Sequence, residues 1–85
     1  MEKSIHSARY AAFLKTLKRA REDTGLTQTE LAQRIGESQT FVSKCERGER
    51  RIDVVELLTF CQAFGLSLKQ FVSTLERAVS KVKSS

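Results

Sequence analysis

The sequence predicts an all-α fold of five helices, and three observations carry that prediction. The 85 residues contain no proline and few β-branched runs, so nothing breaks a helix from within. Four glycines, Gly25, Gly36, Gly48 and Gly65, fall 11 to 17 residues apart, each between segments of helical apolar periodicity. Glycine accepts the left-handed backbone with which many helices stop. Three pairs of the form S/T/D-x-x-E/Q then mark helix starts: Thr27/Glu30, Asp53/Glu56 and Ser67/Gln70. One such pair is a weak signal, but each of these three follows a glycine and carries an apolar pair at the flanking positions.

The first helix spans about residues 7–23, with Tyr10, Phe13, Leu14 and Leu17 at i, i+3, i+4 and i+7 on one face. Thr27 opens the second, about Gln28 to Ile35, with Leu26 and Leu31 as staple and Leu31, Ala32 and Ile35 inward. Ser38 caps the third, about Gln39 to Arg47, whose inward residues are Val42 and Cys45. Asp53 opens the fourth, stapled by Ile52 and Leu57. Its expected inner face is Val54, Leu57, Leu58 and Cys61, with Phe60 and Phe64 beside it. Ser67 opens the fifth, stapled by Leu66 and Phe71. Each cap contributes about 1 kcal/mol. Residues 1–6 and about 81–85 are polar and expected to fray.

Composition narrows the function classes. The length allows one small domain, residues 1–85 with a core over about 7–80. At 40% hydrophobic and 29% charged the chain reads as globular. No apolar run reaches the roughly 18–20 residues of a membrane span, and the N-terminus MEKSIHSARY lacks a signal peptide's apolar stretch, so a cytoplasmic protein is expected. Fifteen Lys+Arg against ten Asp+Glu give a net charge of +5, a modest bias toward an anionic partner. Cys45 and Cys61 are too few and too far apart for a disulfide framework or a metal clip, and read as small buried apolar residues. His6 alone makes no metal site. With no Gly-rich phosphate loop, no His/Cys cluster and no nucleophile beside a base, no enzyme, cofactor, metal or small-molecule ligand is expected.

The segment Gln28–Cys45 carries the functional signal. Two short helices meet at a turn around Gly36, small Ala32 lies where they would cross, and Val42 and Cys45 point back to the core. That is a helix-turn-helix pattern, in which the second helix is held out so that its first residues reach a major groove. The stretch LTQTELAQRIGESQTFVSKCERGERRID resembles the lambda-repressor-like (Cro/CI, or XRE) helix-turn-helix family, over about residues 10–75. Leu26, Gln28, Leu31, Ala32, Ile35, Gly36, Ser43, Glu46 and Gly48 carry the likeness. Cys45 departs from the larger aliphatic or aromatic residue common at its position.

The resemblance implies a compact five-helix DNA-binding domain and roles for particular residues. Gln39, Thr40, Ser43 and Lys44, on the outer face of the third helix, would meet base edges. That suits their chemistry: Gln pairs with adenine, Lys donates to guanine, and a Thr methyl fits thymine. Gln28, at a helix N-terminus, would bond a phosphate. Phe41 would pack on the sugar backbone or a thymine methyl, or else form a shoulder of the core. Arg47, Arg50 and Arg51 would hold phosphates, which position without specifying, or else form a solvated charge run. Arg21 and Glu46 would form an internal ion pair.

In the fifth helix Leu68, Val72, Leu75, Val79 and Val82 repeat at 4-3-4-3 spacing, a heptad-like stripe. Leu68, Phe71 and Val72 are expected to close the core. Leu75, Val79 and Val82 run on, and are expected to pair with the same helix of a second subunit. A homodimer would set two reading helices about 34 Å apart, one turn of double-stranded DNA. The reading is a transcriptional regulator, most simply a repressor. Two alternatives come with the resemblance: an antitoxin that also binds its promoter, or the controller protein of a restriction–modification system.

Overall fold

A computed structural model describes residues 7–82, so His6 and the polar ends 1–6 and 83–85 lie outside the described residues. Five helices follow in order: α1 Ala8–Asp23, α2 Gln28–Ile35, α3 Gln39–Glu46, α4 Val54–Phe64 and α5 Leu68–Ser80. Their starts are chemical. Ser7, Thr27, Ser38, Asp53 and Ser67 have extended backbone, and each side chain accepts from the N–H three residues on. At Thr27, Asp53 and Ser67 the bond is reciprocated, because Glu30, Glu56 and Gln70 accept from the cap's own N–H at 2.9, 3.0 and 2.8 Å. The three pairs legible in the sequence are therefore complete capping boxes. The ends match as well: Gly36 and Gly65 close α2 and α4 in the left-handed conformation.

α1 packs against α5 and α3, and α4 against α2 and α5. They enclose Phe13, Leu17, Leu26, Leu31, Ala32, Val42, Cys45, Leu57, Phe60, Cys61, Phe64 and Phe71. Phe13 meets Phe71 edge-on at 6.0 Å between centroids, and Phe60 contacts both Phe41 and Phe64. The N–H of Ile52 donates to the Tyr10 hydroxyl at 3.2 Å, tying the α3–α4 connection to α1.

Three apolar residues expected inside are exposed. Val54 (63%) and Leu58 (42%) lie outside the core, because Leu57, Phe60, Cys61 and Phe64 form a complete i, i+3, i+4, i+7 stripe that takes the inner face of α4. Burying two phenylalanines removes more apolar surface from water than burying a valine and a leucine. On α5, Phe71 fills the core while its neighbour Val72 faces out at 37%. Ile35 is half-buried against the core, as are Leu68 and Leu75.

Candidate nucleic-acid interface

The interface is built by α2, the turn after it, and α3. Gly36 stands at φ +73°, a backbone that residues with a Cβ adopt at a cost of about 1–2 kcal/mol. The turn it makes lets the Glu37 N–H donate to the Ala32 carbonyl at 2.9 Å and sends the chain into the Ser38 cap. α3 then has two distinct sides. Val42 and Cys45 are fully buried, and burial pushes the Cys45 thiol above its ordinary range. Gln39, Thr40 and Lys44 are exposed, and Ser43 is half-buried. The four residues expected to meet bases thus share the outward side of one helix.

A chain of polar bonds runs from the core to the start of α3. The buried guanidinium of Arg21 donates to both oxygens of Glu46, at 2.7 and 3.1 Å, and to the Leu26 carbonyl at 2.9 Å. The ion pair implied by the resemblance is present, and Glu46 holds the Arg21 pKa above its ordinary value. Glu46 Oε1 also accepts from Gln28 Nε2 at 2.9 Å, and Gln28 Oε1 accepts from Gln39 Nε2 at 2.7 Å. Gln28 therefore does more than face outward at a helix start: it joins α2 to both ends of α3, and Glu46 carries the connection on to Arg21 of α1. No local spacing announces this bridge, since its partners lie 18 and 11 residues away in the chain.

The basic residues after α3 are held by neighbours. Arg47 bonds Glu49 through two nitrogens and also donates to the Ser43 hydroxyl. Arg50 makes a two-nitrogen contact to Glu56, at 2.9 and 2.7 Å, with its guanidinium 4.7 Å from the centroid of the Phe41 ring. Glu56 is held below the usual carboxylate range by Arg50 first and by the Asp53 N–H second, so one side chain both caps α4 and orients Arg50. Sequence reading missed Glu56 in this role because the pair spans the α3–α4 connection. Arg51 stacks 5.0 Å from the Tyr10 ring. Phe41 is half-buried against the core, the shoulder position read as one of its two alternatives, and carries Arg50 on its ring.

A second surface, on α4 and α5, is apolar. Leu75, Val79 and Val82 are half-buried. Leu75 and Val79 line a shallow groove with Tyr10 and Phe13, and an adjoining groove shares Tyr10 and Phe13 and reaches Val54 and Leu57. Exposed Val54, Val55, Leu58 and Val72 add apolar surface on α4 and α5. Among the described residues no helix is long and apolar enough to cross a membrane, and no group of three or more His, Cys, Asp or Glu could hold a metal ion.

Known proteins agree with this geometry. A family model described as helix-turn-helix matches residues 17–71. An uncharacterized HTH-type transcriptional regulator, y4dJ of Sinorhizobium fredii, is 42% identical over 55 residues, covering 65% of this chain and 71% of the relative. The solved structure of an XRE-family like protein from Pseudomonas syringae pv. tomato is 49% identical, covers 87% of this chain and 90% of its own, and superposes with a TM-score of 0.78. A further solved structure is the restriction–modification controller protein C.Esp1396I, a tetramer in complex with its natural 35 base-pair operator. It shares the fold at 24% identity, with 89% and 100% coverage and a TM-score of 0.81. The chain belongs to the XRE/Cro-CI type helix-turn-helix family of DNA-binding transcriptional regulators.

Proposed function

We propose that the protein is a sequence-specific repressor that inserts α3 into the DNA major groove. The observation that carries this reading is the two-sidedness of α3: Val42 and Cys45 are fully buried, while Gln39, Thr40 and Lys44 are exposed beside them. Gln39, Thr40, Ser43 and Lys44 read base edges. Gln28, Phe41, Arg47, Arg50 and Arg51 engage the backbone on either side, with phosphate oxygens replacing the Glu49 and Glu56 carboxylates around Arg47 and Arg50. Such exchange costs little at Arg47, whose pair with Glu49 is half-exposed and worth about 0–1 kcal/mol, and more at Arg50, whose two-nitrogen partner Glu56 is half-buried. Repression follows from occupying a promoter, and the protein works in the cytoplasm, where that DNA is.

The working unit is a homodimer joined through Leu75, Val79 and Val82. Support comes from the groove that Leu75 and Val79 line and from the exposed apolar residues on α4 and α5. The antitoxin and controller alternatives use the same reading helix and differ in the genes and partner alongside. The test is a titration against duplex DNA at several salt concentrations. With about three phosphates neutralised per subunit, a dimer gives a log–log slope near −5. A slope near zero rejects the mechanism.

A further inference from the structure

Arg47 and Arg50 each already hold a carboxylate of their own chain, but the two pairs are built differently. Arg47 and Glu49 are both 53% exposed and lie two residues apart on one connection. Arg50 and Glu56 are 43% and 28% exposed, and their pair reaches across to α4. Arg50 donates to both oxygens of Glu56 at 2.9 and 2.7 Å and to the Arg51 carbonyl at 2.9 Å, with the Phe41 ring against its guanidinium. Glu56 is anchored from its other side. Its Oε1 accepts from the Asp53 N–H at 3.0 Å, and its own N–H donates to Asp53 at 2.7 Å. A carboxylate fixed in the α4 cap cannot follow Arg50 when the guanidinium turns to another anion. It stays at the positive end of a helix and partly in water, so this pair can open where the Arg21–Glu46 pair, at 10% and 4%, cannot.

We infer that Glu56 is a positioning residue that sets DNA affinity without touching DNA: anchored in the α4 cap, it competes with a backbone phosphate for Arg50. Carboxylate and phosphate oxygens accept the same paired N–H donors of a guanidinium, so one excludes the other. Arg50 therefore adds to binding only the surplus of phosphate over the resident carboxylate. Any duplex presents the same phosphates, so the competition lowers the affinity for all of them by one factor and leaves base preference alone. The Glu56 carboxyl is held below its usual range, by Arg50 first and the Asp53 N–H second, so the competitor is ionised at neutral pH. The inference rests on the proposal that Arg50 engages a phosphate.

The experiment is a double-mutant cycle: the native protein, Glu56→Gln, Arg50→Ala and the double variant are titrated with two duplexes. One duplex is selected by the native protein from a random pool, and the other is unrelated in sequence. Glu56→Gln removes the charge and keeps the cap, since Gln70 fills the same place in the α5 box and its amide oxygen accepts from the Ser67 N–H at 2.8 Å. The variant should bind both duplexes more tightly, by about fivefold per subunit, the upper value for a partly exposed pair. A damaged fold would bind less tightly, so a gain has no structural explanation. Arg50→Ala should weaken both duplexes. In that background Glu56→Gln should gain less than about twofold, the part that a distant charge contributes through a screening solvent. An equal gain in both backgrounds, or no gain in the native one, overturns the competition and leaves Arg50 as a phosphate contact. If Arg50→Ala binds both duplexes as tightly as the native protein, the phosphate contact itself fails and the inference with it.

Discussion

Replacing Glu46 by Ala strands a buried charge. Arg21 is 8% exposed, and the substitution removes its two charge-assisted bonds, leaving the single bond to the Leu26 carbonyl. Breaking a buried ion pair from one side costs about 3–5 kcal/mol, because the remaining charge has lost both water and partner. A domain of this size has about 4–13 kcal/mol of stability in all, so the loss is a large share of it. Since each kcal/mol moves the midpoint of a small domain by about 4–8 °C, the thermal transition should fall by at least about 12 °C. Urea denaturation followed by circular dichroism gives the free energy directly. Arg19→Ala is the internal control. Its pair with Asp23 has side chains 78% and 66% exposed, and its removal should cost under about 0.5 kcal/mol. The double variant Arg21→Met/Glu46→Met removes both charges and should recover most of the loss. A Glu46→Ala cost no larger than that of Arg19→Ala would refute the reasoning, since the pair would then be behaving as a surface contact.

Three other outcomes follow from the same structure. Gly36→Ala puts a Cβ on a left-handed backbone with open space around it, so the cost is conformational alone, about 1–2 kcal/mol by denaturant titration, with the fold retained. The Cys45 and Cys61 thiols are both pushed up by burial from an ordinary value of 9.0. The folded chain therefore keeps protons that the unfolded chain releases, and stability is steady below about pH 9 and falls above it. The slope cannot exceed about 1.4 kcal/mol per pH unit per thiol, and Cys45→Ala/Cys61→Ala should flatten that alkaline limb under reducing conditions. Val79→Lys should convert a sedimenting dimer to monomer while leaving the helical circular dichroism in place. A native chain that sediments as a monomer with and without DNA removes the dimer.

Much of the fold is legible because its signals are local. Thr27 and Glu30, or Asp53 and Glu56, sit three residues apart and bond each other whatever the rest of the molecule does. α4 shows where local reading stops. Val54, Val55, Leu57, Leu58, Phe60, Cys61 and Phe64 are apolar almost all round the helix, so periodicity offers two overlapping stripes. Only the packing of α4 on α2 and α5 settles which one is buried. The site divides in the same way. That Val42 and Cys45 face in and Lys44 faces out follows from helical spacing. That Glu46 bonds Gln28, or that Glu56 holds Arg50, depends on elements brought together by the fold, and no spacing rule announces it.

The central claim is that the outer face of α3 reads DNA bases. Sequences selected from a random duplex pool by the native protein and by Lys44→Ala test it most directly. The account predicts two enriched half-sites about one helical turn apart, a changed base preference at one position per half-site in Lys44→Ala, and the remaining positions unaltered. Enrichment of the same sequence by both proteins, with Lys44→Ala merely binding every duplex more weakly, would contradict base reading by Lys44 and leave it as a phosphate contact.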